Sequence, residues 1–266
     1  MYDRFNRSID YLRISVTDRC NLRCRYCMPE EGIQLLRHED ILTFDEIKDF
    51  TRAAVDNGIR KVRITGGEPL VRKGIVTLVG MIASIRGIND LSMTTNAVLL
   101  EHFAKDLSVA GLQRVNISLD TVDPQKYAFI TRSGNLSDVF RGIEAAKSAD
   151  LAPIKINCVI RESKDEDNAR AVAAFCTEND LEIRYIKQMD LVSGSFSEVD
   201  GGSGGDCNRC NRLRLTSNGK LKPCLFSDTE FDVRELGYQK AIEMAVGVKP
   251  GKGSRNLKDG FYNIGG

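Results

Sequence analysis

The chain has 266 residues, enough for one large domain or a large domain with a small companion. Its 42% hydrophobic and 28% charged residues are those of a globular protein, and a net charge of +1 excludes the broad basic field of a nucleic-acid or anionic-membrane binder. The opening MYDRFNRSIDYLRIS has no apolar run of the signal-peptide kind, and nowhere do roughly 18 uninterrupted apolar residues occur, so a cytoplasmic location is expected.

In chain order, β-rich runs at 11–16, 61–65, 91–96, 114–120, 154–160 and 182–189 alternate with helix-period segments at 44–58, 74–87, 100–111, 136–149 and 168–179. Several of these segments end in Gly or Asn, as helix C-termini do. Six β/α repeats predict a parallel sheet, either doubly wound or curled into a full or partial barrel. The strand faces help to choose. Leu12, Ile14 and Val16 alternate with Arg13, Ser15 and Thr17, and Val62 and Ile64 alternate with Lys61, Arg63 and Thr65. Val115, Ile117 and Leu119 alternate with Asn116, Ser118 and Asp120, as do Ile154 and Ile156 with Lys155 and Asn157. One face therefore packs on helices and the other is polar and cationic, where an ordinary barrel would fill its interior with branched apolar side chains. An open sheet with a solvated polar face is the alternative; a cationic lumen needs an anionic guest, and a polyphosphate fits.

Eight cysteines in a cytoplasmic chain argue against a disulfide framework. Six form two triplets, Cys20-x3-Cys24-x2-Cys27 and Cys207-x2-Cys210-x13-Cys224, while Cys158 and Cys176 lie in apolar patterns and read as small core residues. His38 and His102, the two histidines, are in polar surroundings and read as surface residues. Three thiolates hold three irons of a [4Fe–4S] cluster and leave the fourth for an exchangeable ligand, whereas a structural zinc site is closed by four ligands. The first triplet directly follows the first strand, at the mouth where β/α barrels carry their active sites.

The Cys20–Cys27 spacing, together with TGGEP at 65–69 after the second strand, resembles the radical S-adenosylmethionine (SAM) enzymes. LRISVTDRCNLRCRYCMPEEGI, VRITGGEPLVR, CNRLRLTSNGKLKPCLFS and the terminal IGG are similar, more narrowly, to the GTP 3′,8-cyclase family, over residues 8–189 and 206–266. The resemblance implies an α/β fold, a partial (β/α)6 TIM-like barrel of the radical SAM type over 1–190. A shortened Gly/Ser-rich connection over 191–206 and a small auxiliary-cluster domain over 207–266 would follow. It implies two [4Fe–4S] clusters, on Cys20, Cys24 and Cys27 and on Cys207, Cys210 and Cys224, and SAM contacts at Tyr26, Gly67, Ser118 and Met189. Met189 alone would read equally well as a core residue. GTP would be held by Arg13, Lys61, Arg63, Thr94, Lys155, Arg184, Arg212, Leu213 and Arg214, with its guanine at the open iron of the second cluster. Arg212, Arg214, Gly265 and Gly266 would serve catalysis, the Gly-Gly tail reaching into the site. The implied reaction is radical cyclisation of GTP, the first step of molybdenum cofactor biosynthesis. An electron donor and the downstream cyclic pyranopterin monophosphate synthase would be partners, with no nucleic acid or membrane, and a homodimer would be compatible.

Two departures stand out. Between Met189 and Cys207 the family carries a longer segment than DLVSGSFSEVDGGSGGD, whose GGSGG is of flexible-linker composition, and TTNA at 94–97 ends in alanine where glycine is usual. Rival readings are a related radical SAM enzyme acting on another nucleotide or a peptide, and a non-catalytic iron–sulfur or zinc-binding relative.

Overall fold

The computed structural model of the chain describes every residue except Asp259, Gly265 and Gly266. Strands β1 (Tyr11–Ser15), β2 (Lys61–Thr65), β3 (Asp90–Thr95), β4 (Arg114–Ser118), β5 (Lys155–Ile160) and β6 (Glu182–Lys187) are parallel neighbours in chain order. They are joined through helices α1 (Phe44–Asp56), α2 (Ile75–Ala83), α3 (Leu100–Val109), α4 (Pro124–Thr131), α5 (Leu136–Ser148) and α6 (Asp167–Glu178). The expected repeats are all present, and α4 is an addition. Its start is written in Asp123-Pro124: the Asp123 carboxylate accepts from the Gln125 and Lys126 N–H groups, and proline tolerates the first helical position.

On the free edge of β1, β7 (Arg212–Leu215) adds a further parallel strand, and β8 (Lys220–Lys222) and β9 (Phe231–Asp232) continue the sheet antiparallel. Helices α7 (Val233–Leu236), α8 (Tyr238–Gly247) and α9 (Phe261–Ile264) complete the described chain. The sheet order β6-β5-β4-β3-β2-β1-β7-β8-β9 leaves β6 and β9 as edges, so the sheet is a partial barrel and not a closed one. The residues after 206 thus extend the main sheet instead of packing as a detached layer.

The strand alternation is realised as written. Leu12, Ile14, Val62, Ile64, Met93, Val115, Ile117 and Ile156 are fully buried against the helix layer, which contributes Ile47, Phe50, Leu78, Ile82, Leu107 and Ile143. Helix α1 is secured at its start by a reciprocal cap, the Thr43 hydroxyl accepting from the Glu46 N–H and the Glu46 carboxylate from the Thr43 N–H. The same carboxylate pairs with Arg234 of α7 at 2.7 Å, which ties the C-terminal part to the first helix.

The short connection before Cys207 is ordered by backbone pairing: Asp190 bridges Ser195, and Tyr185 of β6 bridges Asp200. Gly205 is required there, since a Cβ would come within 2.0 Å of the Ser197 carbonyl oxygen and φ is +82°. Cys158 and Cys176 are core residues, and His38 and His102 are exposed. No helix among the described residues is long and apolar enough to cross a membrane.

Phe50 is fully buried and packs edge-on against Tyr238 at 5.7 Å between ring centres, joining α1 to α8. Phe50→Ala is expected to cost about 3–5 kcal/mol, read as a lower urea midpoint with an unchanged slope.

Candidate active site

The polar face of the sheet lines one cavity of about 540 Å³, a size suited to a nucleotide-scale ligand. Pairing puts Arg214 of β7 beside Arg13 of β1, Arg13 beside Arg63 of β2, Arg63 beside Ser92 of β3, and Ser92 beside Arg114 of β4. Side chains two apart on a strand share a face, so this is a transverse row with four guanidinium groups across five neighbouring strands. Arg63 donates from Nε to Ser92 Oγ at 3.3 Å and stacks 5.4 Å from the Tyr11 ring centre. Arg114 is held by Asp90 through Nε at 2.9 Å and Nη2 at 2.5 Å. Burial, then repulsion from Arg214, pushes Arg13 well below the usual guanidinium range, and burial with repulsion from Arg212 lowers Arg214 to about 10. Such crowding of like charge is complementary to a polyanion.

Several buried polar atoms on the same wall lack a hydrogen-bond partner: Tyr11 Oη, Thr94 Oγ1, Arg114 Nη1, Arg184 Nε and Arg212 Nε. Orphaned buried donors are costly unless a ligand completes them, so the wall is shaped for a guest with several acceptors.

At the C-terminal end of the strands, the first cysteine loop is clamped by the glycine-rich turn after β2. Gly67 donates to the Thr17 carbonyl at 2.7 Å and Glu68 to the Arg19 carbonyl at 2.8 Å. A Cβ on Gly67 would lie 2.3 Å from the Arg19 oxygen, so only glycine permits this docking. The buried Glu68 carboxylate accepts from Leu70 N at 3.0 Å, Thr95 Oγ1 at 2.8 Å and Asn96 N at 2.7 Å. Asn96 in turn donates to Asn21 Oδ1 at 2.8 Å, next to Cys20. Tyr26 donates to Asp120 Oδ2 at 2.9 Å, and Asp120 Oδ1 accepts from Val159 N at 2.8 Å; burial pushes this carboxyl up to about 6.

The second triplet forms by a hairpin. Cys207 and Cys210 precede β7, and because β8 runs back antiparallel, Cys224 returns to the same end. All six cysteines line the one cavity. Burial pushes Cys20 up to about 11 and Cys24 and Cys27 up to about 12. Burial also raises Cys224; in Cys210 it is outweighed by the Lys249 and Arg212 cations, which hold the thiol below its ordinary value. Buried thiols of this kind become ligands when a metal displaces their protons. Among the described residues no three His, Cys, Asp or Glu side chains converge as they would on a single ion. A four-iron cluster is larger and takes each thiolate on its own iron, so the two three-thiol sets fit a cluster with one open iron apiece.

Of the expected substrate set, Arg13, Lys61, Arg63, Thr94, Arg184, Arg212 and Arg214 line the cavity. Lys155 does not: it pairs with Glu182, its register neighbour on β6. The Leu213 side chain, 1% exposed, lies in the apolar core because it is out of phase with Arg212 and Arg214. Lys61 faces the cavity and is engaged by Asp10 at 3.2 Å. Tyr26, Gly67, Ser118 and Met189 also face it, Met189 while packing on the small apolar cluster of Leu191, Phe226 and Ile264. Gly265 and Gly266 lie outside the described residues. The short connection contributes Val199 and residues 202–206 to the wall, and Arg212 donates from Nη2 to the Ser203 carbonyl at 2.5 Å. Sequence reasoning missed Tyr11, Asp90 and Arg114; the signal for Tyr11 and Arg114 was their phase with Arg13 and Asn116.

Burial pushes Glu68 from 4.5 to about 7 despite its three donors. Between these values the folded chain retains a proton that the unfolded chain has released, so stability falls as pH rises from about 4.5 through about 7. Urea unfolding of the metal-free chain across that range is expected to show this slope, and Glu68→Gln to flatten it.

The sequence of residues 14–176 matches the model of the radical SAM superfamily, and 182–246 that of the molybdenum cofactor synthesis C-terminal family. A GTP 3′,8-cyclase of Thermodesulfovibrio yellowstonii is 44% identical over 89% of this chain and 88% of that protein. Those of Peptoclostridium acidaminophilum and Moorella thermoacetica are each 43% identical, over 88% and 94% of this chain and 85% and 94% of theirs. Among solved structures, Streptococcus suis SuiB bound to S-adenosylmethionine shares the fold with a TM-score of 0.65 at 17% identity, over 86% of this chain and 64% of that one, so this chain spans under two thirds of SuiB. AdoMet-bound anSMEcpe has a TM-score of 0.55 at 20% identity, over 71% and 54%. With its two cysteine triplets on one arginine-lined cavity and these relatives along most of its length, the chain belongs to the GTP 3′,8-cyclase family of radical SAM enzymes.

Proposed function

We propose that this chain binds GTP between its two iron–sulfur sites and cyclises it to 3′,8-cyclo-7,8-dihydro-GTP, joining ribose C3′ to guanine C8. The observation that carries this reading is the row of guanidinium groups between two cysteine triplets that open on the same cavity. When bound, SAM and the first cluster supply a 5′-deoxyadenosyl radical able to remove the ribose 3′ hydrogen atom.

The residues of the chain orient and enclose. Tyr26, Gly67, Ser118 and Met189 form the SAM end, with Tyr26 fixed by Asp120. Arg13, Arg63, Arg114, Arg184, Arg212 and Arg214 hold the triphosphate, the arginine fork giving paired contacts to phosphate oxygens. Cys207, Cys210 and Cys224 leave an iron of the second cluster for the base. Val199 and the glycine-rich segment close the side beside β6, which keeps water from the reacting carbon. An external electron donor would serve the first cluster, and cyclic pyranopterin monophosphate synthase would take the product.

Anaerobic incubation of the reconstituted, reduced chain with SAM and GTP, followed by mass spectrometry, is expected to give 5′-deoxyadenosine and an isomer of GTP cyclised at C3′ and C8. Formation of 5′-deoxyadenosine without any GTP-derived product would overturn the cyclase reading. Arg114→Gln removes one charge-assisted phosphate contact of about 1.5–3 kcal/mol and is expected to weaken GTP binding on the order of 10- to 100-fold, with GMP much less affected, measured by calorimetry.

A further inference from the structure

A buried lysine stands beside the second cysteine triplet. Lys249 follows helix α8 and is 1% exposed. Its ammonium donates to the Arg212 carbonyl at 2.7 Å and to the Pro223 carbonyl at 2.6 Å. Those two carbonyls belong to the segments that carry Cys210 and Cys224, two residues and one residue away. The contacts fix the ammonium between the two strand ends that present the thiols.

Its charge balance is unusual. Arg7, another buried cation at this end, donates to the Cys207 carbonyl at 2.6 Å and is neutralised by Asp3 at 2.6 Å, while Arg214 of β7 is a further buried cation whose charge Cys210 and Cys224 favour. Lys249 forms no ion pair with a carboxylate among the described residues. Burial and, more weakly, Arg7 disfavour its charge, and the groups that favour it are Cys210 and Cys224. A buried ammonium without a counter-ion is strongly disfavoured. The anion that offsets this cost is a thiolate-bound cluster, and it does so more strongly after the cluster gains an electron. Cluster potentials respond to nearby charge and to hydrogen bonding around the sulfurs.

We propose that Lys249 is a positioning residue that raises the reduction potential of the second [4Fe–4S] cluster, by holding a fixed positive charge against the Cys210 and Cys224 side of that site. The step concerned is the one-electron couple of the cluster; no bond is made or broken at Lys249 and no proton moves. The inference rests on the reading of Cys207, Cys210 and Cys224 as cluster ligands and goes beyond it.

The test is an EPR-monitored redox titration of the anaerobically reconstituted chain beside Lys249→Gln and Lys249→Arg. A parallel chain with Cys20, Cys24 and Cys27 all replaced by alanine assigns the signal of the second cluster. Gln retains a donor for the two carbonyls and deletes the charge; Arg retains the charge. At the parent midpoint, Lys249→Gln is expected to lower the ratio of reduced to oxidised second cluster at least tenfold, which is about 59 mV for a one-electron couple. Lys249→Arg is expected to restore most of it, with iron content unchanged in both. An unchanged midpoint in Lys249→Gln at full iron content would overturn the proposal, as would equal loss of iron from Gln and Arg variants, which marks a purely structural role. Failure of the alanine-substituted parent to hold four irons would overturn the cluster reading of the second triplet, and the proposal with it, before any Lys249 variant is compared.

Discussion

The register between β7, β1, β2, β3 and β4 is the constraint on which the site depends. It lines up Arg214, Arg13, Arg63, Ser92 and Arg114 across the sheet. Because side chains alternate, the same pairing buries Leu213, Leu12, Val62, Leu91 and Val115 on the opposite face. A slip of one residue in β7, β1, β2 or β4 would drive a guanidinium group into the apolar layer and a branched apolar side chain into the cavity. The hydrophobic core therefore stabilises the cationic wall indirectly. Burial of the helix-facing residues supplies the free energy, and the crowded arginines are tolerated because their register is already set.

Parallel neighbours also set the distance between the two cysteine triplets. The first triplet follows the C-terminal end of β1, whereas Cys207 and Cys210 precede the N-terminal end of its partner β7. The two cysteine sets thus belong to opposite ends of β1, a strand of five residues or about 16 Å, and both line the cavity. The β7–β8 hairpin is what brings Cys224 back to Cys210. A nucleoside triphosphate is long enough to reach from one cysteine set toward the other.

The shortened connection is integrated into this plan. Instead of leaving a gap beside β6, Tyr185 bridges Asp200, and Gly202, Gly204 and Gly205 line the cavity. Glycine is needed for backbone contact at Gly205, so part of what reads as linker composition is a steric requirement. Near the first triplet the arrangement is similar: Gly67 lets the loop after β2 dock on the cysteine loop, and Glu68 collects three donors from β3 and its own turn. Those contacts hold the thiols in place from behind.

The cysteine spacings, the strand alternation and the glycine-rich turn were legible in the sequence, because each is a local pattern of chemistry: thiols at cluster spacing, a period of two, and a turn needing close backbone approach. These predicted a parallel β/α sheet, two thiol triplets of cluster spacing and a cationic face, and the resemblance they carry implied the partial barrel. Tertiary structure alone decided which cations share a wall. Lys155 matches the pattern of its strand yet turns to Glu182, while Arg114 and Tyr11 join the cavity through pairing with strands distant in sequence. Lys249 gave no sequence signal, since it meets Cys210 and Cys224 only where a helix end packs on a hairpin. Periodicity tells which face a side chain takes; register and packing, which are set by non-local contacts, tell what it meets there.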